Sequence, residues 1–377
     1  MISKNKIRIK GINRCATFAT TCTLIAGTLF MSACGGGGDG SPKFIEAAPA
    51  PDEQWTVAAP ADVGMDGALL QQATSAKPGW FSSLIVLRHG KPVLERYWNG
   101  YGKDNLHEIR SATKSITSLM TGIAIDKGML KGVDQPISEL LGAAYPGRPA
   151  LSRNITVGNL LTMSSGLDCD DFNNGSPGHQ KNMYPTQDWV NFILNLSQRS
   201  APGTDSRYCT GGVTTLGRAV SEASKLSVPA FAEQHLLAPL GIKTMKWITY
   251  DSGRHSSAGG LAWLRPRDMA KIGQLVLQKG KWEGRQIVSE EWIAKSTRAH
   301  TAVSGAMDEY AYLWWISTVK HGSRNLKVHF ADGNGGQYII VIPELDMVVV
   351  TTGEAYDLGT RTAAFDIVNQ YIVAAVR

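Results

Sequence analysis

The sequence lacks several motifs that mark familiar classes of enzyme. It has five cysteines but no CxxC pair, and it contains no HExxH, no GxxxxGK[ST] and no GxSxG. These absences remove the signatures of zinc sites, phosphate-binding loops and α/β-hydrolases. The motifs therefore imply neither a metal ion nor a cofactor.

The sequence also has little excess charge once its first residues are set aside. It holds 38 Lys and Arg against 32 Asp and Glu, a formal net charge of +6. Residues 1–33 contain five basic side chains and no acidic one, so the remainder carries 33 basic against 32 acidic groups. This balance gives no support for binding nucleic acid, and the 43% apolar content is that of a folded globular chain.

The first 33 residues have the three parts of an export signal. A basic stretch is followed by an apolar, Thr-containing run over 15–29 and then by Met31-Ser32-Ala33-Cys34. The last four residues resemble the lipobox of bacterial lipoproteins, although Met31 replaces the usual Leu. The resemblance implies lipidation of Cys34 and a membrane partner, and Gly35 favours the outer membrane, facing the periplasm. Cleavage by ordinary signal peptidase and an uncleaved anchor are the alternatives.

Residues 34–62 are rich in Gly, Ala and Pro, which neither propagate a helix nor supply a core face. We expect this segment to be a semi-extended tether. No repeat or second low-complexity stretch follows, so residues 63–377 should form one catalytic domain.

The apolar pattern of that domain predicts an α+β fold. A helix is expected over 66–76, a hairpin over 82–98, a long amphipathic helix over 111–127 and helices from 137 to 240. Strands are expected at 310–318, 338–342 and 347–352, and a closing helix at 360–376. Strands at both ends with a helical insert between them predict an antiparallel sheet flanked by helices, plus an all-helical lobe.

One SxxK motif lies in a context that gives it a mechanism. Ser111-Ala112-Thr113-Lys114 opens the predicted long helix, whereas the copies at 3–6 and 317–320 do not. A spacing of three puts Ser111 and Lys114 on one helical face, and the free N–H groups of a helix N-terminus favour a developing oxyanion. The alternative is that Ser111 is simply an N-cap and Lys114 a solvated first-turn residue.

Further motifs follow in a fixed order. Tyr208-Cys209-Thr210 comes after a Pro-Gly turn, and Asp332-Gly333-Asn334-Gly335-Gly336 precedes a buried strand. With the SxxK motif, this set resembles the serine β-lactamase and penicillin-binding-protein superfamily, most closely its class C-like branch of esterases, D-amino-acid peptidases and 6-aminohexanoate-dimer hydrolases. The resemblance covers residues 63–377.

The resemblance implies a role for each motif residue. Ser111 would be the acylated nucleophile, Lys114 its base, and Tyr208 the phenol that passes a proton to the leaving group. The backbone N–H groups of Ser111 and Asn334 would form the oxyanion hole, with Asn334 on the edge strand. A core position for Tyr208 and an ordinary hairpin turn over 333–336 are the alternatives.

Two departures from the family bear on the substrate. Penicillin-recognising members carry Lys-Thr-Gly or His-Thr-Gly where Asp332-Gly333-Asn334 stands, and Tyr-x-Asn where this chain has Tyr-x-Thr. The cation that would hold a carboxylate is missing, so we expect a small-molecule ester or amide substrate. Trp314 and Trp315 could wall the pocket, although alternation sends one of them to the core. A non-hydrolytic envelope sensor, a true β-lactamase and a D,D-peptidase are the other functions considered.

After export and lipidation, Cys169 and Cys209 are the cysteines that remain. Cys209 adjoins Tyr208, and Cys169 lies in a loop that borders the active site in the relatives. An even pair in an oxidising compartment predicts a disulfide, with two free thiols as the alternative.

Overall fold

The computed structural model describes residues 55–250, 255–356 and 359–377, and the backbone alone of 43–46. Among these residues, no helix combines the length and the apolar character that a membrane span requires. The expected export signal and Cys34 lie outside the described residues.

Most of the strands are short and antiparallel. They are β1 (Lys43–Glu46), β2 (Phe81–Arg88), β3 (Lys91–Tyr97), β4 (His107–Glu108), β5 (Lys246–Tyr250), β6 (His255–Ser256), β7 (Ala262–Leu264), β8 (Lys281–Trp282), β9 (Arg285–Gln286), β10 (Thr301–Ala302), β11 (Glu309–Tyr310), β12 (Trp315–His321), β13 (Arg324–Gly333), β14 (Gln337–Ile342) and β15 (Met347–Gly353). The main sheet has the order β10-β11-β12-β13-β14-β15-β2-β3, and a smaller sheet has the order β1-β5-β7-β4 with β6 beside β5. The predicted α+β class with an antiparallel sheet is confirmed.

The α-helices divide into a group from the middle of the chain and a group that covers the sheet. They are α1 (Gly67–Ala76), α2 (Thr113–Asp126), α3 (Ile137–Leu141), α4 (Val157–Leu161), α5 (Gln180–Met183), α6 (Trp189–Leu194), α7 (Thr210–Ser224), α8 (Val228–Ala232), α9 (Pro266–Leu277), α10 (Glu290–Ser296) and α11 (Thr360–Ile367). Helices α3 to α8 form the predicted helical lobe, and α11 continues as a π-helix over Val368–Val373.

The centre of the main sheet is covered on both faces. Every residue of β14 and β15 is buried, which is why these strands read as continuous apolar runs instead of alternating ones. Gly273 of α9 lies so close to the sheet that a Cβ there would meet Val348 Cγ1 at 2.5 Å. On the other face, the ring of Phe365 in α11 contacts those of Phe330 and Tyr338. This two-sided packing fixes the sheet against the helices that carry the site.

Helix α2 is buried on all sides, which differs from the amphipathic helix predicted. Residues 113–124 are all buried. Its small hydroxyl side chains make this possible because they bond to backbone carbonyls: Ser115 Oγ donates to Leu313 O and Thr117 Oγ1 to Ala258 O, both at 2.7 Å. Helix α2 therefore lies between the main sheet and the helical lobe and packs against both.

Three local expectations differ from the structure. The strand predicted over 310–318 is divided into β11 and β12, because the chain turns at Leu313, whose φ is +60°. The longest strand, β13, was not predicted. Within the expected tether, residues 43–46 pair with β5, and Trp55 packs against the core.

Candidate active site

Ser111 lies at a sharp turn before α2. A 3-10 turn over Arg110–Ala112 precedes the helix, and Arg110 has a φ of +50°. The N-cap of α2 is Ala112, and no side chain caps the helix. The N-cap alternative for Ser111 is therefore wrong, and its partly exposed hydroxyl is free to face the cleft.

Lys114 is buried directly beneath Ser111. Its side chain is 1% exposed, and Nζ donates to Ser111 Oγ at 3.0 Å, to Thr210 Oγ1 at 3.0 Å and to the carbonyl oxygen of Gly259 at 2.6 Å. Burial lowers the pKa of Lys114 to about 8, against the opposing attraction of Asp171 and Asp332. The amine is therefore held on the serine and is neutral in part near pH 8.

Tyr208 completes the contacts of the serine hydroxyl. Its phenol lies close enough to the Ser111 hydroxyl to interact with it, and its ring centroid is 4.7 Å from Lys114 Nζ. The ring stacks on that of Phe172, with 5.0 Å between centroids, and on that of Trp315, with 5.8 Å between centroids. Burial raises the pKa of Tyr208, while its interaction with Ser111 opposes this effect, so the phenol is protonated at neutral pH.

The segment that carries Tyr208 is fixed from the helical lobe. Cys169 and Cys209 form a disulfide with an S–S distance of 2.02 Å, and Cys209 is the N-cap of α7. Asp171, two residues after Cys169, accepts hydrogen bonds from the backbone N–H of Thr210 at 2.6 Å and of Gln180 at 2.7 Å. Sequence reasoning missed Asp171; its only sequence signal is its place two residues after a cysteine beside the site.

The third motif approaches Ser111 from the sheet. Gly333 ends β13 so close to the turn before α2 that a Cβ there would lie 2.1 Å from the carbonyl oxygen of Ile109. Asn334 follows in the hairpin turn between β13 and β14, and not on an edge strand as predicted. Within the part of the chain described, neither the Ser111 nor the Asn334 N–H donates a hydrogen bond. Both are therefore available to a ligand.

Asp332 differs from the other polar groups of the site. Its side chain is only partly exposed, and no described residue forms a hydrogen bond or an ion pair with its carboxylate. Burial raises the pKa of Asp332 to about 7, and the nearby Lys114 opposes this effect. The Asp332 carboxyl group is thus only partly ionised near neutral pH, and its ionised form places a negative charge beside Lys114.

The cleft above Ser111 has a volume of about 250 Å³. Its walls come from the turn before α2, the start of α5, the segment before β7 and the third motif: Arg110, Ser111, His179, Gln180, Lys181, Tyr184, Gly259, Gly260, Leu261 and Asn334. Arg110 is paired with Glu108 at 3.1 Å. Trp314 is fully buried and Trp315 stacks on Tyr208, so neither lines this cleft and the expected tryptophan wall is absent from it. Asp332 and Gly333, which we also expected in the substrate pocket, do not line the cleft either.

The chain is similar in sequence and in fold to known proteins. The chain is 22% identical over 303 residues to the 6-aminohexanoate-dimer hydrolase of Paenarthrobacter ureafaciens, covering 74% of each chain. It resembles a solved Bacillus anthracis structure provisionally named a 6-aminohexanoate-dimer hydrolase, with 18% identity, 89% and 90% coverage and a TM-score of 0.70. A D-stereospecific amidohydrolase from Streptomyces sp. matches with 15% identity, 81% and 98% coverage and a TM-score of 0.62.

The family assignment rests on a match that spans most of the described chain. The model of the family described as Beta-lactamase matches residues 71–359, which include Ser111, Lys114, Tyr208 and the third motif. The fold, the order of the motifs and this match lead to one conclusion: the chain belongs to the beta-lactamase family of hydrolases.

Proposed function

We propose that this protein is a serine hydrolase that cleaves ester or amide bonds through an acyl-enzyme on Ser111. The observation that carries the proposal is the pair of contacts on the Ser111 hydroxyl, from Lys114 Nζ at 3.0 Å and from the Tyr208 phenol. A buried amine and a buried phenol on one serine are what activation of a weak nucleophile requires. A binding protein has no chemical need for both.

The different protonation of the two groups assigns their roles in acylation. Lys114, with a lowered pKa, accepts the Ser111 proton as Oγ attacks the carbonyl carbon, and the carbonyl oxygen is stabilised by the Ser111 and Asn334 N–H groups. The bond to the leaving group then breaks, and that atom receives a proton through the Tyr208 hydroxyl. The Lys114 ammonium then gives a proton to Tyr208, so both groups return to their starting states.

Deacylation uses the same groups in the reverse direction. Water occupies the place of the leaving group and loses a proton to the neutral Lys114–Tyr208 pair as its oxygen bonds to the acyl carbon. The ester bond to Ser111 breaks, and Oγ recovers its proton. The reaction consumes one water and needs no further reactant.

The charge at the third motif supports a neutral acyl substrate over a β-lactam. The Asp332 carboxyl group lies close enough to Lys114 to attract it, and its ionised form would repel a substrate carboxylate that approached the third motif. The relatives named for 6-aminohexanoate-dimer hydrolysis and for D-stereospecific amide hydrolysis support the inclusion of amides.

A serine-directed probe tests this proposal. A fluorophosphonate should add one adduct to the protein, seen by intact mass, and Ser111→Ala should remove both the adduct and the hydrolysis of p-nitrophenyl esters. The variant should stay folded because Ser111 caps no helix. Nitrocefin and D-amino-acid amides complete the panel. Esterase activity that survives Ser111→Ala would refute the proposal.

We also propose that the protein is exported and lipid-anchored at Cys34. The proposal rests on the sequence of residues 1–34. Metabolic labelling with a clickable palmitate should label the wild-type protein and leave Cys34→Ser unlabelled, and only the wild type should fractionate with membranes. An unlabelled wild-type protein would contradict this.

A further inference from the structure

Large apolar side chains are exposed at few places in the part of the chain described. They are Val57, at 44%, Phe172, at 53%, Tyr184, at 37%, and Met307, at 91%. Tyr184 lines the cleft above Ser111, and Phe172 stacks on Tyr208. Exposed apolar groups that gather at one place mark a binding surface more often than scattered ones do.

Phe172 is held in a fixed orientation although half of it is exposed. One face of its ring lies parallel to the Tyr208 ring, with 5.0 Å between centroids and 4° between planes. Phe172 is three residues after Cys169 of the disulfide, and its backbone N–H donates to Asp170 Oδ1 at 2.9 Å. The exposed half of the ring is therefore available to a ligand, and binding there costs little further side-chain entropy.

A second loop, which carries Met307, reaches the ring of Phe172. Gly305, with a φ of +83°, lies against the Phe172 ring, since a Cβ there would be 3.6 Å from Phe172 Cδ2. The backbone N–H of Ser304 donates to Ser206 O at 3.0 Å, which ties this loop to the segment that carries Tyr208. Met307 is two residues further along. We call Phe172 and Met307 the rim patch.

The position of the rim patch relates it to one half of the substrate. This step rests on the proposed function, in which the leaving atom of the substrate lies at the Tyr208 hydroxyl and receives a proton from it. The substituent on that atom then extends past the Tyr208 ring, on which Phe172 is stacked. The acyl portion is directed into the other region, the cleft that Tyr184 and Leu261 line.

We infer that the rim patch is the binding site for an apolar leaving group, so the enzyme prefers esters of aromatic or medium-chain alcohols and amides of the corresponding amines. Phe172 contributes a flat ring for stacking, and Met307 a flexible thioether that adapts to chains of different shape. A preference for the leaving group affects the rate of acylation alone, because water replaces the alcohol or amine in deacylation.

Two ester series test the inference. In the first, methyl, hexyl and benzyl esters share one acid; in the second, acids of increasing length share methanol. The wild-type kcat/KM should rise from methyl to benzyl ester, and Phe172→Ser should lower the benzyl-to-methyl ratio about tenfold. Met307→Ser should lower it by a smaller factor, and Phe172→Leu should retain most of it. Val57→Ser is the matched control, since Val57 is apolar and exposed but belongs to a segment that is bonded to β3, where the N–H of Ala58 donates to Pro92 O.

Each other outcome overturns the inference. A benzyl-to-methyl ratio that is the same in the wild type and in both Ser variants would show that the patch binds no leaving group. An equal loss on methyl and benzyl esters in Phe172→Ser would mean that Phe172 only supports Tyr208. Patch-dependent sedimentation with phosphatidylglycerol vesicles, without a change in the ratio, would assign the patch to a membrane. Ser111-dependent hydrolysis of the methyl ester in the wild type tests the proposed function separately.

Discussion

Lys114 lies between two carboxylates that reach it from opposite parts of the molecule. Asp171 comes from the helical lobe and accepts two backbone N–H groups, whereas Asp332 comes from the sheet and has no hydrogen-bond partner among the described residues. Both attract the same ammonium group. A carboxylate that accepts two backbone hydrogen bonds fixes the positions of those two backbone segments, whereas a carboxylate without donors contributes mainly its charge.

The comparison extends to the elements around each carboxylate. On the side of the lobe, the disulfide, Asp171 and the start of α7 fix Tyr208 and Thr210 against Lys114. On the side of the sheet, the hairpin turn contributes the backbone N–H of Asn334, and strand β13 contributes the carboxyl group of Asp332. Since both carboxylates raise the pKa of Lys114, we expect the loss of either charge to move the pH dependence of the rate, and changes on the side of the lobe to lower the rate as well.

The largest effect on the rate should come from a change of Lys114, with which both regions interact. Lys114→Ala should lower kcat roughly a thousandfold, the range of a lost general base. Stopped-flow acylation with a p-nitrophenyl ester measures this, and circular dichroism checks the fold. Added methylamine should restore part of the rate, since an amine can enter the vacated space. A rate near that of the wild type would show that Ser111 is activated by another group.

The next effect should come from Asp171. Its two oxygens accept from two different N–H groups, so Asp171→Asn leaves one buried N–H without an acceptor and displaces the segment of Tyr208. We expect kcat to fall on the order of tenfold to a hundredfold, as for a displaced catalytic group. Asp205→Asn, which removes a surface ion pair with Arg207, is the matched control. Equal activity of the two variants would contradict the structural role of Asp171.

A smaller effect on rate and a larger one on stability should follow loss of the disulfide. Cys169 and Cys209 are 40 positions apart, and closing a loop of that length stabilises the fold by roughly 4 kcal/mol by chain entropy. Cys169→Ser should lower the urea concentration at the midpoint of unfolding. Because Cys209 adjoins Tyr208, it should also reduce kcat at urea concentrations at which the variant is still folded. Full activity in Cys169→Ser would separate the disulfide from catalysis.

The smallest change in rate should come from Asp332. Its negative charge raises the pKa of Lys114, so Asp332→Asn should lower that pKa further below its value of about 8. The rate depends on neutral Lys114, so the acidic limb of the pH–rate profile should move to lower pH while the plateau changes only a fewfold. A limb that moves to higher pH, or does not move, would show that Asp332 does not act on Lys114.

Local spacing and motifs predicted the side chains that the structure brings together around Ser111. Ser111 and Lys114 are three residues apart at a helix start, and Tyr208 follows a Pro-Gly turn, so their types and order identify them. Asp171 has no such signal, because its role depends on two N–H groups that only the fold brings together. The turn position of Asn334 was missed because a Gly-rich segment fits both a strand end and a hairpin.

The fold shows the same division. The continuous apolar runs of β14 and β15 predicted buried strands correctly. Strand β13 alternates Leu326, Val328 and Phe330 with polar residues, a period-2 signal that its basic residues obscured. The break at Leu313 could not be predicted, because a positive φ at a leucine is imposed by its tertiary surroundings, in which its N–H donates to Leu161 O and its carbonyl accepts from Ser115.

The acyl-enzyme itself offers the most direct test of the account. Wild-type protein is mixed with a p-nitrophenyl ester, quenched with acid within milliseconds, and digested for mass spectrometry across a range of pH. We predict an acyl group on the peptide that contains Ser111, formed at a rate that rises with pH through about 8, the pKa of Lys114. An acyl group on another residue, or a rate of formation on Ser111 that is independent of pH between 6 and 9, would contradict the account.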